Sequence, residues 1–347
     1  MNEILFLSGF LLVIALILTL DLGVFNKKSH EVSMKESLIF TSVWILLALG
    51  FFFFLRHFGD MMHQISTLED LEKINDLHKH GLIFNPLADF DVNLQLYRNQ
   101  LSLEFITGYV IEYALSIDNI FVILMLFLSF GTEKKYYHRV LFWGIIGAVA
   151  MRFIFIFSLS ALIHQFEWIL AIFGGILIYS AIALFINRNK EEKVDVKEHK
   201  LVKFVSKRFS VTPDYVGEKF VTKINGKWFI TPLFLLLIII EFSDVIFAVD
   251  SVPAIFSITQ DSYIVFFSNI FAIIGLRSLF FLLSNIVNMF RYLKHGLSVL
   301  LAFIGVKMLL EVLFHISIST QLSLLLILSV LIICILLSVL VLKGKRE

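Results

Sequence analysis

The sequence predicts an all-α polytopic membrane protein with about nine transmembrane helices, six of them forming two inverted three-helix repeats. Three observations carry this expectation. Of the 347 residues, 59% are hydrophobic and 38 are Phe, too apolar a composition for an ordinary soluble domain. The apolar residues fall into runs of membrane length. Carboxylates stand inside two of those runs: Glu241, Asp244 and Asp250 in EFSDVIFAVDSVPAIFS (241–257), and Glu112 and Asp118 in YVIEYALSIDNIFVILMLF (109–127). A charge at the centre of a membrane helix costs about 2.5–3.5 kcal/mol on insertion scales, so such residues mark a site.

The spans read in order as 4–24, 38–58, 103–129, 139–163, 168–187, 231–257, 262–284, 296–314 and 321–342. The first starts with no basic segment before it and no Ala-x-Ala-like cleavage site, so it is expected to be a retained helix. The break at His164, Gln165 and Glu167 is required because the merged run would be far too long for a bilayer. These spans divide the chain into two peripheral helices (1–58), an external loop (59–102), a first repeat (103–187), a cytoplasmic loop (188–230), a second repeat (231–314) and a last helix with its tail (315–347). With the N-terminus outside, the inner segments carry 22 Lys and Arg and the outer ones 4. That bias predicts an inner (plasma) membrane protein with its N-terminus outside and its C-terminus in the cytoplasm. In the external loop, Leu68, Leu71, Ile74 and Leu77 predict a short amphipathic helix. The loop's acids and its His63, His78 and His80 read as a solvated charged face more readily than as a metal scavenger. The cytoplasmic loop is expected to run from a charged helix tail to a hairpin, 220–224 and 227–231, turned at Asn225-Gly226.

The two acidic spans align. With Asp118 placed on Asp250, Ser116-Ile-Asp-Asn-Ile120 lies over Ala248-Val-Asp-Ser-Val252, and Glu112 lies over Asp244. The next spans agree through Arg152 and Arg277, and the next again through Gly175 and Gly305. The charge bias runs the two copies in opposite directions, the pattern of alternating-access transporters whose site lies at the repeat interface near the midplane. Coincidence between apolar helices is the competing explanation, and the shared order of acid, acid, Arg and Gly weighs against it.

Glu241 and Asp244 share a helix face, whereas Asp250 lies six residues further on, about 120° around. Pro253 is expected to break the helix, freeing a carbonyl near Val249 and bringing Asp250 to the site. The metal-binding candidates are therefore Glu112, Asp118, Asn119, Glu241, Asp244, Asp250 and Ser251, with Arg152, Arg277 and Lys307 as counter-charges or gates and Lys307 near Glu311. Five acids against so few embedded bases favour a cation, and an all-oxygen ligand set suits Mn²⁺, Mg²⁺ or Ca²⁺ better than Cu⁺ or Zn²⁺. The bland alternative is structural pairing of acid with Arg.

The net charge of +1 predicts no nucleic-acid partner, and the single Cys334 excludes a disulfide framework or a multi-thiolate metal site. Neither aspartate stands in the Gly-x-Gly-Asp motif of intramembrane proteases, and there is no Walker A loop, so neither an enzyme nor a directly ATP-driven pump is expected. No permanently bound cofactor is expected.

EYALSIDNIFV, IEFSDVIFAVDSVPAIFSIT, SNIFAIIGLRSLFFLL and LLAFIGVKMLLE closely resemble the TerC family, and its Alx-like branch in particular. The likeness covers nearly the whole chain, including DLGVFNKKSHEVSMKES. It implies membership of the wider LysE-type group of exporters and manganese efflux, with proton antiport as a plausible coupling. By the same resemblance Glu112, Asp118 and Asn119 match the family's first acidic motif, and Glu241, Asp244, Asp250 and Ser251 its second. The external loop is longer than the family pattern implies. The expected partners are the transported divalent ion and the lipid bilayer, with homo-oligomerisation and a secretion-machinery partner left open. The competing function is a non-transporting membrane partner in a tellurite-type stress or secretion complex.

Overall fold

The computed structural model describes residues 3–25, 32–187, 207–286 and 293–343. Its helices are α1 (Glu3–Phe25), α2 (Met34–Phe58), the short α3 (Asp60–His63), α4 (Leu68–His78), α5 (Phe90–Ser129), α6 (Lys134–Gln165), α7 (Ile169–Asn187), α8 (Pro232–Phe256), α9 (Ser262–Ile286), α10 (Leu293–Phe314) and α11 (Thr320–Lys343), with a hairpin of β1 (Val221–Ile224) and β2 (Lys227–Ile230) before α8. Among the described residues, eight helices, α2 and α5 to α11, are long and apolar enough to cross a membrane. The expected first span is α1, whose apolar stretch among those residues, Leu5–Thr19, is shorter. The protein is thus an integral membrane protein of all-helical type.

Local chemistry sets the boundaries. Ser33 opens α2 with a capping box: its Oγ accepts from Glu36 N at 3.2 Å while Ser33 N donates to the Glu36 carboxylate at 2.8 Å. Thr67 and Asp70 open α4 in the same way, at 3.1 and 2.9 Å. Pro232 opens α8 at a position whose N–H has no helical partner anyway. The hairpin register pairs Ile224 with Lys227, and positive φ at Asn225 (50°) and Gly226 (79°) turns the chain in two residues. The charged tail expected from residue 188 onwards falls on 188–206, outside the described residues.

The centre of the bundle is α9, which is buried along nearly its whole span and packs on α2, α5 and α6. Phenylalanine fills this centre: the Phe10 and Phe267 rings lie 4.3 Å apart, and Phe51 lies 5.0 Å from both Phe105 and Phe271. These rings hold α1 and α2 against α5 and α9. Between 103–187 and 231–314, α5 packs on α8, α6 on α9 and α7 on α10.

The α7–α10 contact depends on glycine. A Cβ on Gly305 would lie 2.8 Å from the Gly174 carbonyl oxygen, and one on Gly174 would lie 3.0 Å from the Gly305 carbonyl oxygen. Backbone cannot move aside as a side chain can, so this is close small-residue packing. Gly305→Ala is expected to force the helices apart and to cost about 1–3 kcal/mol. Thermal unfolding in detergent reads the loss, with Gly175→Ala, which meets nothing within 4 Å, as the neutral control.

Two expectations need correction. Residues 59–102 are not simply an external loop: α5 begins at Phe90 and runs for 40 residues. Asn93, Leu94, Tyr97, Gln100 and Leu101 are buried at helical spacing, so the polar residues between them form one face of a helix. Nor are the loop histidines solvated. α4 forms as expected, but it lays His78 and His80 against the bundle, where they and His63 are buried.

Candidate metal-ion site

The acids lie on three central helices, and α8 decides their grouping. It is an uninterrupted α-helix from Pro232 through Pro253 to Phe256, so the expected break at Pro253 is not present in this conformation. Pro253 sits in the last turn, shortly before the helix ends at Ser257; it has no N–H to offer the Val249 carbonyl, yet the helix continues through it. A straight α8 keeps its acids splayed. Glu241 and Asp244 face α6 and α9, whereas Asp250 faces α7 and α10.

Asp244 is held by Arg152 of α6. This guanidinium, 1% exposed, donates from Nη2 to Asp244 Oδ1 at 3.1 Å and from Nη1 to the fully buried Glu112 of α5 and to Asn269 of α9. Its Nη1 also lies 3.4 Å from Ser251 Oγ. A buried guanidinium with planar, fixed donors suits this task better than Lys. Glu112 and Asp244 are the residues that superpose in the sequence alignment, so one arginine bridges the two acids that the alignment pairs. Glu112 Oε2 remains buried without a hydrogen-bond partner.

The second pair in that alignment, Asp118 and Asp250, lines one cavity of about 320 Å³ together with Asn119, Ser251 and Ser180. Ser180 Oγ donates to Asp250 Oδ1 at 3.1 Å. Asn119 Nδ2 is buried without a partner. Tyr179, Ala183 and Leu184 of α7 and Lys294 and Leu297 of α10 complete the wall, so the cavity reaches the end of the bundle where α7 finishes and α10 begins.

Glu241 stands apart from both pairs. With Asp244 and Arg277 it lines a small cavity of about 30 Å³, large enough for water. Gly147 makes room for it, because a Cβ there would lie 2.2 Å from Glu241 Oε1. Lys307 is not at the site. It is buried on α10 within electrostatic reach of Glu311 and of Glu104 on α5.

The structure therefore brings Asp118, Asn119, Asp250 and Ser251 together, joins Glu112 and Asp244 through Arg152, and leaves Glu241 and Lys307 to the side. Sequence reasoning missed Ser180, Asn269 and Lys294. The signal for the first two was a polar side chain within an otherwise apolar helix, weaker than a carboxylate because a Ser or Asn can be satisfied within its own helix.

A helical membrane protein with paired acids inside its bundle is the class that this fold and site define. The chain belongs to the TerC family: the model described as "Integral membrane protein TerC family" matches residues 97–346. A Myxococcus xanthus relative, "Uncharacterized membrane protein STKORF319", is 40% identical over 87% of this chain and 82% of its own. A Rickettsia felis membrane protein is 38% identical over 95% of this chain and 96% of its own. The Escherichia coli K12 protein named "Putative membrane-bound redox modulator Alx" is 37% identical over 91% and 89% respectively. No solved structure matches the chain.

Proposed function

We propose that the protein is a secondary transporter that exports divalent cations, Mn²⁺ foremost, from the cytoplasm by alternating access. The observation that carries this reading is the meeting of equivalent acids: Asp118 and Asp250 share one cavity, and Glu112 and Asp244 share one arginine. An inverted pair of three-helix repeats, α5–α7 and α8–α10, accounts for that pairing and for the contact of corresponding helices.

The charge bias assigns the cavity mouth at Lys294 to the cytoplasmic side of the inner membrane, with the N-terminus outside. A cation enters there and is held by the Asp118 and Asp250 carboxylates with the oxygens of Asn119 and Ser251. Hard oxygen ligands fit Mn²⁺, and the resemblance to LysE-type exporters agrees with that cargo. Arg152 keeps Glu112 and Asp244 neutralised, so the cargo site retains its charge. Rocking of one repeat against the other exposes the ion to the opposite side, and protonation of the emptied aspartates accompanies the return. The protein needs no resident cofactor and performs no covalent chemistry in this scheme.

The test is cellular manganese measured by elemental analysis after a Mn²⁺ load, in bacteria that lack their own exporters. Expression of the protein is expected to lower internal manganese several-fold relative to an empty vector. Equal manganese, with folded protein present in the membrane, overturns the proposal.

The name of the Escherichia coli relative favours a second reading, a membrane partner in a redox or stress response. Thiol exchange would have only Cys334 to work with, buried on α11. This reading predicts no change in manganese on expression.

A further inference from the structure

Three histidines and two carboxylates meet at the end of the bundle where α5 begins and α6 ends. His63 ends α3, His78 ends α4, His80 follows it, and Asp261 lies in the turn between α8 and α9. One ligand atom from each of His63, His78 and Asp261 falls within 4.8 Å of the others, and all three residues are buried. His63 Nε2 and Asp261 Oδ2 are 2.9 Å apart, and the His63 and His78 rings are centred 5.0 Å apart.

Each donor is held for the purpose. Asp261 uses its other oxygen, Oδ1, to accept from Tyr263 N at 2.9 Å and Ile264 N at 3.4 Å, capping α9 and fixing the carboxylate. His78 Nδ1 is buried with no hydrogen-bond partner, an unusual cost for an imidazole and the expected state of a nitrogen reserved for an ion. Around these ligands, His80 Nδ1 lies 2.9 Å from both oxygens of the Glu104 carboxylate, and its Nε2 is likewise buried and unpartnered. A carboxylate that orients a histidine is the usual support beside a metal ligand.

We propose that His63, His78 and Asp261 form a transition-metal site of the Zn²⁺ class, distinct from the oxygen-lined cavity at Asp118 and Asp250. Two imidazole nitrogens and one carboxylate oxygen select borderline ions, unlike the hard oxygen set of the cavity. Metal replaces the His63–Asp261 hydrogen bond with two coordinate bonds and takes up the orphaned His78 nitrogen. An ion here would tie α3, α4 and the α8–α9 turn together on the face that the charge bias places outside.

The test uses full-length protein in detergent, stripped of metal and then given Zn²⁺, or Co²⁺ as a coloured probe. Stoichiometric binding is expected, with imidazole nitrogen in the first shell by Zn X-ray absorption and a rise in unfolding temperature. The Asp118→Asn/Asp250→Asn variant should keep this signal, which separates the site from the transport reading. His63→Gln/His78→Gln should lose it, while His57→Gln, an exposed histidine of α2, should not. The proposal is overturned by no stoichiometric binding, by a shell of oxygen alone in the wild type, or by undiminished binding in a folded His63→Gln/His78→Gln protein. If that double variant does not fold, the wild-type X-ray absorption decides.

Discussion

Cells that express the Asp118→Asn/Asp250→Asn variant are expected to hold as much manganese as cells carrying an empty vector. The two carboxylates share a cavity with the amide of Asn119 and the hydroxyl of Ser251, and they are the only acids that line it among the described residues. Replacing a charged partner by a neutral isostere loses about 1.5–3 kcal/mol per interaction. Two such losses amount to about 3–6 kcal/mol, or roughly a 100-fold or greater fall in cation affinity. The fold should survive. Asn keeps an oxygen for the Ser180 hydroxyl, and Arg152 continues to hold Glu112 and Asp244. Purified variant should therefore unfold at or above the wild-type temperature, since two desolvated charges have been removed. A purely structural role for these acids predicts the reverse pair of results: lower stability with unchanged manganese.

Arg152→Gln is expected to cause the largest loss of stability of any single substitution considered. Its guanidinium is 1% exposed and is the shared partner of Glu112, at 0%, and Asp244, at 18%. Removing one partner of a buried ion pair typically costs about 3–5 kcal/mol, because the remaining charges are left uncompensated. Here two carboxylates would be left facing one another. The triple variant Glu112→Gln/Arg152→Gln/Asp244→Asn removes the whole charge set and should recover most of the loss. Thermal unfolding of the two purified proteins separates the cases. Equal destabilisation in both would mean that packing volume, not charge, governs the site.

Hydropathy placed the helices well because a bilayer demands long apolar runs with every backbone group satisfied internally. The expected span 231–257 is α8, Pro232–Phe256, and 262–284 is α9 to within two residues. The Asn225-Gly226 turn was legible because two successive positive φ values favour those residue types. The alignment sets Glu112 on Asp244 and Asp118 on Asp250; in the structure the first two share Arg152 and the last two share a cavity. What the alignment could not give was their separation into two tiers, which depends on α8 staying helical through Pro253, because a lost proline N–H does not by itself say whether a helix breaks or continues. The start of α5 at Phe90 was hidden because averaging hydropathy erases an amphipathic turn. The histidine cluster was hidden for another reason: its members are split between residues 63–80 and Asp261, and only the docking of α4 across the end of the bundle joins them.

The length of α5 gives it a mechanical role. Forty residues make a rod of about 60 Å, roughly twice the apolar thickness of a bilayer. Glu104, which grips His80, and Asp118, which lines the cavity shared with Asp250, are carried on this one helix about 21 Å apart. A tilt of about 5° around its waist would move these two residues by about 1 Å in opposite directions, because they lie only about 8 and 13 Å from the midpoint. The shaft thus links the histidine cluster to the cavity at Asp118 and Asp250. If an ion bound at one end tilts the shaft, reciprocity requires the affinity at the other end to change by the same factor in both directions.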